Sequence, residues 1–356
     1  MRERILRNLW PLVPVLMSLL ATTLLLVLVG GDPGVTFSAL IDGALGSSDR
    51  LFSTLAFWVP LLLCASGLLV TFTAGLWNIG VEGQMIMGAL GASWVALKVA
   101  APYPAIPGWI ILILEVLVAM ALGGLWAVLA GILKTRGGVH EIFGGVALNN
   151  LAIIATNYLI SGPWQPPEGG TFRGTEPFPS QALFPLLGDT RFSPLTLVLA
   201  LAVLGLVALS LRGTSWGLRL KALGRNPRSA FLLGVPSERE TLTAMLVCGA
   251  AAGMAGSVRV LSWFDSLRQS ISGGIGFLAI QIVLLAGMRP LWTLLIAVFF
   301  SALLTGGTIV QLRTQLKASI SGIIQGTMVL FVLLFGDTRI LARKRRQEPE
   351  TEANEP

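Results

Sequence analysis

The sequence predicts an all-α polytopic membrane protein of about ten transmembrane helices, and three observations support this. Of 356 residues, 54% are hydrophobic and 12% charged, about half the charged share of an average soluble domain. Apolar runs close to the roughly 20 residues needed to cross a bilayer recur along the chain. Lys and Arg fall between and beside those runs, so the net charge of +7 reads as membrane topology rather than a nucleic-acid surface.

Ten spans are read in order, near 11–30, 52–72, 79–99, 109–133, 141–161, 194–212, 240–258, 274–288, 291–309 and 318–336. The first follows a basic end. Its apolar run is longer than the roughly 7–15-residue core of a signal peptide and no small-x-small site closes it, so a retained helix is expected. Only TAGLWNIG separates the second and third spans, and the eighth is short and opens on Gly273, Gly274 and Gly276. Both places suit broken or re-entrant helices. An even count puts both termini on one side, and 17 of the 25 Lys and Arg lie on that side, which makes it cytoplasmic.

Between the spans two loops stand out. The external loop 162–193 carries Pro163, Pro166, Pro167, Pro177, Pro179 and Pro185. It reads as rigid irregular structure, either a passive connector or a functional surface. The loop 213–238 is basic. In it Asn226 fits an N-cap, Pro227 the first helical position, Ser229 to Leu233 a short helix and Gly234 a left-handed C′ position, with Pro236 blocking continuation. An ordinary positive-inside loop and a helix that docks a soluble partner are both open readings. The whole of 1–336 reads as one transmembrane domain. In the tail 337–356, Arg339 to Arg346 would stop transfer and the acidic end is expected to be disordered.

Several chemistries are excluded. Cys64 and Cys248 lie in apolar runs and read as packing residues; His140 is the only histidine, so neither a metal centre nor a bound cofactor is expected. No GxxxxGK[ST] sequence occurs, so any ATP used must be bound by a separate subunit.

Polar groups within spans are costly and become functional candidates. Asn78, Glu82 and Gln84 cluster among glycines, where Glu82 is either a buried anion or a cap on the third span's own N-terminus. Asn149, Asn150 and Asn157 recur near one helical face and either line a path for a neutral polar solute or bond neighbouring helices. Phe277 either stacks on a flat solute or simply packs, and Gln281 adds an amide near it. Glu115 is expected near the external end of its span, reaching the headgroups. Arg259, Asp265 and Arg268 are expected on an external rim rather than in a buried ion pair.

Four stretches carry a family resemblance: WGLRLKALGRNPRSAFLLG (216–234), AGLWNIGVEGQMIMGALGA (74–92), VHEIFGGVALNNLAIIATNYLISGPW (139–164) and SGGIGFLAIQIVLLAG (272–287). With GIIQGTMVLFVLLFG near the end, they resemble permeases of ABC importers, in particular the purine nucleoside and simple-sugar branch, over most of 51–336. The resemblance implies that 213–238 is a coupling loop, with Gly224, Arg225, Asn226, Pro227, Ala230 and Gly234 engaging an ATPase. It implies translocation-path residues among Asn78, Glu82, Gln84, Asn149, Asn150, Phe277 and Gln281. The implied partners are two ATP-binding subunits, which would hold the ATP, a second and related permease, and an extracytoplasmic binding protein received in part by loop 162–193. The chain itself would not be an enzyme and would reside in the cytoplasmic (inner) membrane. Where this family usually continues GFxAIAVALLG, Gln281 departs from the pattern and leaves the solute open. An ion-coupled carrier without an ATPase is the competing function; it would rest on Glu82 and Glu115.

Overall fold

The computed structural model of the chain describes residues 13–28, 30–167 and 174–314, together with 322–323, 326–327 and 330–331. Most of the expected tenth span, Gln325 and the tail 337–356 lie outside these residues. Among the described residues every named element is helical. In order the α-helices are α1 (Val13–Leu28), α2 (Pro33–Leu45), α3 (Ser48–Thr73), α4 (Val81–Val95), α5 (Gly108–Thr135), α6 (Glu141–Ser161), α7 (Pro194–Gly213), α8 (Ser215–Arg225), α9 (Pro227–Leu232), α10 (Ser237–Val258), α11 (Ile275–Leu285) and α12 (Pro290–Thr314). π-Helical turns extend α4 through Ala96–Ala100 and α10 through Arg259–Phe264.

Among the described residues, six helices are long and apolar enough to cross a membrane: α3, α5, α6, α7, α10 with its π turn, and α12. The first expected span is more elaborate than a single rod. Asp32 Oδ1 accepts from Gly34 N at 2.7 Å and Val35 N at 3.1 Å, and Pro33 takes the first helical position. A new helix therefore starts there, and the axis turns by 118° between Leu19–Leu28 and Pro33–Leu45.

The chain divides into two compact units. The smaller comprises residues 1–51 and 302–356. Its core gathers Leu26, Ala39, Leu40, Leu303 and Val310. Here α2 meets the end of α12 backbone to backbone: a Cβ on Gly306 would fall 2.3 Å from Leu40 O, and one on Gly43 would fall 2.9 Å from Gly306 Cα. Asp42 pairs with Arg50 at 3.3 Å and also with Arg313.

The larger unit, residues 52–301, is built around α4, α5 and α10, which pack most extensively on one another. Small residues permit this closeness. A Cβ on Gly88 would fall 2.2 Å from Gly253 Cα, and one on Gly123 2.4 Å from Gly249 O. The Pro-rich loop is tied down along the stretch following α10. Thr175 N donates to Leu267 O at 2.9 Å, Phe178 N to Asp265 O at 2.8 Å and Phe184 N to Leu261 O at 3.1 Å, with Phe178, Phe184 and Phe192 buried beneath it. Gln181 Nε2 donates to Ala100 O at 2.6 Å.

Candidate functional site

Two breaks in the helical framework come together in the larger unit. The first lies between α3 and α4. Gly75 ends α3 at φ +73°, and the chain runs unwound through Leu76 to Ile79 before α4 begins. The second lies between the π turn of α10 and α11. It turns through positive φ at Asp265, Ser270, Gly273 and Gly274.

Glu82 joins the breaks. It sits in the first turn of α4, yet its carboxylate accepts from the α11 start: Oε1 from Gly274 N at 3.0 Å and Oε2 from Gly276 N at 2.7 Å. Gly274 has no side chain with which to cap α11, so a carboxylate from another helix supplies the cap. Charge-assisted bonds and the helix dipole both favour it there. Glu82 is buried, as one sequence reading has it, and it caps a helix, as the other has it, although the bonds go to α11 rather than to its own helix.

The other polar candidates near the first break are equally enclosed. Asn78 and Gln84 form a reciprocal amide pair across it, at 3.0 Å and 2.9 Å, and Asn78 Nδ2 also lies 3.1 Å from Cys248 Sγ. Asn149 on α6 accepts from Gly83 N at 2.7 Å and donates to Ile79 O at 3.0 Å. It thereby satisfies the backbone groups that the break leaves free. All four side chains are buried.

Two candidates face outward, and a third is half-buried beside one of them. Phe277 is 44% exposed on the first turn of α11. Gln281, one helical turn on and on the same face, is partly exposed, and its Oε1 is buried without a hydrogen-bond partner. Asn150 is exposed on α6, its amide bonded to Val146 O at 3.0 Å. Thus Asn149 and Asn150, adjacent in sequence, have separate surroundings.

Two expectations are corrected by burial. Glu115 does not reach a headgroup layer: it is 0% exposed on α5, and neither carboxylate oxygen has a hydrogen-bond partner. Arg259 is not on a rim. It is 4% exposed, with Nε donating to Ile271 O at 3.4 Å and its guanidinium 5.1, 5.4 and 4.7 Å from the ring centres of Phe57, Trp263 and Phe264. Cation–π attraction from the three rings offsets part of its desolvation. Asp265 and Arg268 do pair in the loop beyond, at 3.6 Å.

The basic island forms as the cap chemistry requires. Asn226 Oδ1 accepts from Ser229 N at 3.0 Å, Pro227 opens α9, and Gly234 takes φ +82°. Ala230 is buried, whereas Phe231, Leu232 and Leu233 are 69, 78 and 82% exposed. The amphipathic α8 precedes α9, where the sequence reading has only loop. Thr214 caps it through Gly217 N at 3.1 Å, and Arg219 fastens it to buried Glu240 of α10 at 2.5 Å. Gly224 lies directly on the first break: a Cβ there would fall 2.3 Å from Thr73 O and 2.9 Å from Gly75 N. Gly224 stands out in the sequence as part of the basic loop, and Gly75 as one of the glycines around Asn78 that let the backbone break or approach a neighbour closely; that the two meet had no local signal.

Buried breaks within a many-helix membrane framework, joined to a basic helix that presents apolar side chains, define the membrane-embedded subunit of a transporter. The sequence comparisons give the particular family. Residues 50–333 match the branched-chain amino acid transport system permease component family, and the chain belongs to it. It is 30% identical over 335 residues to the guanosine ABC transporter permease protein NupP of Bacillus subtilis, covering 93% of this chain and 94% of that protein. It is 29% identical to the glucose ABC transporter permease protein TsgB13 of Haloferax volcanii, covering 91% and 86%. It is 28% identical to a second Bacillus subtilis protein, the guanosine ABC transporter permease protein NupQ, covering 70% and 78%. The chain is therefore the permease subunit of an ABC transporter and a multi-pass protein of the cell membrane. In this family ATP hydrolysis belongs to separate subunits. That result replaces the ion-coupled carrier as the reading of the chain.

Proposed function

We propose that this permease imports a neutral polar solute, a nucleoside or a simple sugar, handed over by an extracytoplasmic binding protein. The reading rests above all on α9. A six-residue helix capped at both ends that presents Phe231, Leu232 and Leu233 is built to enter an apolar groove on another protein. By this reading Gly224, Arg225, Asn226, Pro227, Ala230 and Gly234 form the coupling surface within loop 213–238, and two ATP-binding subunits engage it from the cytoplasm. A second, related permease completes the path, as the pair of guanosine permeases in Bacillus subtilis suggests. Loop 162–193 receives the binding protein.

Phe277, Gln281 and Asn150 are assigned to the solute path, since Phe277 and Asn150 face outward, Gln281 lies half-buried beside Phe277, and together they combine an aromatic face with amides. Asn78, Glu82, Gln84 and Asn149 are assigned to the frame that holds the breaks. The nucleoside class is favoured by NupP, and the sugar class by TsgB13. Ten spans follow if the six long helices are joined by the bent α1–α2 pair, α4 with its π turn, α11 and the segment 318–336. Residues 1–336 then form one permease domain, with both termini and the tail 337–356 in the cytoplasm.

The test is purification from native membranes with an assay for co-purifying ATP hydrolysis. Wild type should retain an ATPase and, in proteoliposomes with the binding protein, take up guanosine or glucose. Phe231→Asp should lose the ATPase while keeping its fold. A chain that purifies alone and transports under an ion gradient would overturn the proposal.

A further inference from the structure

Gly224 is pressed against Gly75 so closely that neither position has room for a side chain. From Gly75 the unwound Leu76–Ile79 leads into α4, held on both flanks by the Asn78–Gln84 amide pair and by Asn149. At the first turn of α4 the Glu82 carboxylate grips the start of α11 with two bonds. The backbones meet there too: a Cβ on Gly276 would fall 2.8 Å from both the N and the Cα of Glu82. Each step between Gly224, near the end of α8, and α11 is thus a backbone contact or a hydrogen bond, and the one long side chain in it, Glu82, is held at both carboxylate oxygens.

Resting on the permease reading above, we propose that Glu82 is the positioning residue that carries movement of the α8–α9 loop to α11, the helix that bears Phe277 and Gln281. When the ATPase subunits draw α9, Gly224 displaces the Gly75 break, α4 shifts, and the carboxylate takes the α11 N-terminus with it. Packed contacts of this kind move as rigid bodies rather than deforming continuously. Arg259 has a part in this: its bond to Ile271 O anchors the loop that enters α11, so the pull turns the helix rather than unravelling the loop. Glu82 touches no solute in this arrangement; it acts through the helix it caps.

Coupling between sites is established by double-mutant analysis rather than by spatial adjacency. The experiment uses the complete reconstituted transporter with its ATPase subunits and binding protein. It compares wild type, Glu82→Gln, Gly224→Ala and the double variant. A single spin label is read at Leu218 on α8 or at Met288 just beyond α11, with and without ATP. Glu82→Gln keeps the side chain's size but cannot accept from both amides. Uptake per ATP hydrolysed should fall by about 5- to 150-fold, the range of ordinary site-to-site coupling. The ATP-driven change at Leu218 should persist and the change at Met288 should vanish. Gly224→Ala should also silence Met288, and the double variant should be no worse than the poorer single variant. Normal uptake per ATP in Glu82→Gln, a Met288 signal that still responds to ATP, or multiplicative losses in the double variant would each overturn the proposal. If Glu82→Gln does not assemble, Gly224→Ala decides from the other end: a responsive Met288 label there overturns it. A wild-type complex without ATP-dependent uptake would instead refute the permease reading, so the two failures are separable.

Discussion

At the scale of single residues, the polar groups inside this protein sort by what they leave unpaired when removed. Asn149 satisfies one backbone N–H and one backbone C=O at the α3–α4 break. Asn149→Ala would orphan both in a buried place, at a cost of about 1–3 kcal/mol for each. A lowered melting temperature in detergent checks this, and Asn150→Ala should leave that temperature nearly unchanged while affecting uptake. The sequence marked Asn149, Asn150, Glu82 and Gln84 as unusual because polar groups among apolar ones are visible without a structure. Which of them face a partner helix was not visible. Helical spacing puts Asn149 and Asn150 only about 100° apart, and the packing of α4 decides the rest. The same limit explains Glu115 and Arg259. Both lie near span ends in sequence, where a short step would reach water, but α5 and the π turn of α10 are covered there by the rest of the unit.

At the scale of elements, capping chemistry was the most legible signal. Asn226, Pro227 and Gly234 mark α9 in sequence and occupy the expected cap positions. A helix of six residues has little stability of its own, so its caps matter. Asn226→Ala should cost roughly 1 kcal/mol locally and weaken ATPase retention severalfold in a pull-down titration, less than Phe231→Asp does. The span α6 ran from Glu141 to Ser161 as its apolar run indicates. The helices that sequence reading missed, α2 and α8, are short, and a search for bilayer-length apolar runs passes over them. Their signals were nonetheless present: Asp32 before Pro33, and Thr214 before an amphipathic stretch with Leu220 and Leu223 buried. The reach of Glu82 to α11 had no local signal, since it joins residues 192 positions apart.

At the scale of the whole molecule, topology remains the most useful quantity to measure. If ten spans place both ends in the cytoplasm, reporter enzymes fused before residue 1 and after residue 356 should be active only in cytoplasmic-side formats. A fusion within 174–190 should show the opposite pattern. An odd count would make the two terminal fusions disagree. The family match over 50–333 makes the long helices of the larger unit its common machinery. Relatives of similar identity carry names as different as guanosine and glucose; on the proposed reading, exchanging Phe277, Gln281 and Asn150 should change which solute is taken up while leaving ATPase retention intact.

The glycine contacts at the heart of the larger unit also bear on how the chain is made. Gly123 on α5 closes against Gly249 and Gly253 on α10, and Gly88 on α4 against Gly253. The ribosome produces α4 and α5 long before α10. Until α10 emerges, α5 must wait in the bilayer with its glycine seam facing lipid and α4 must wait without the partner that fits Gly88. Biosynthesis therefore has a late commitment point, and a chain stalled before residue 249 should be recognised by membrane quality control as unfinished however well its first helices have inserted.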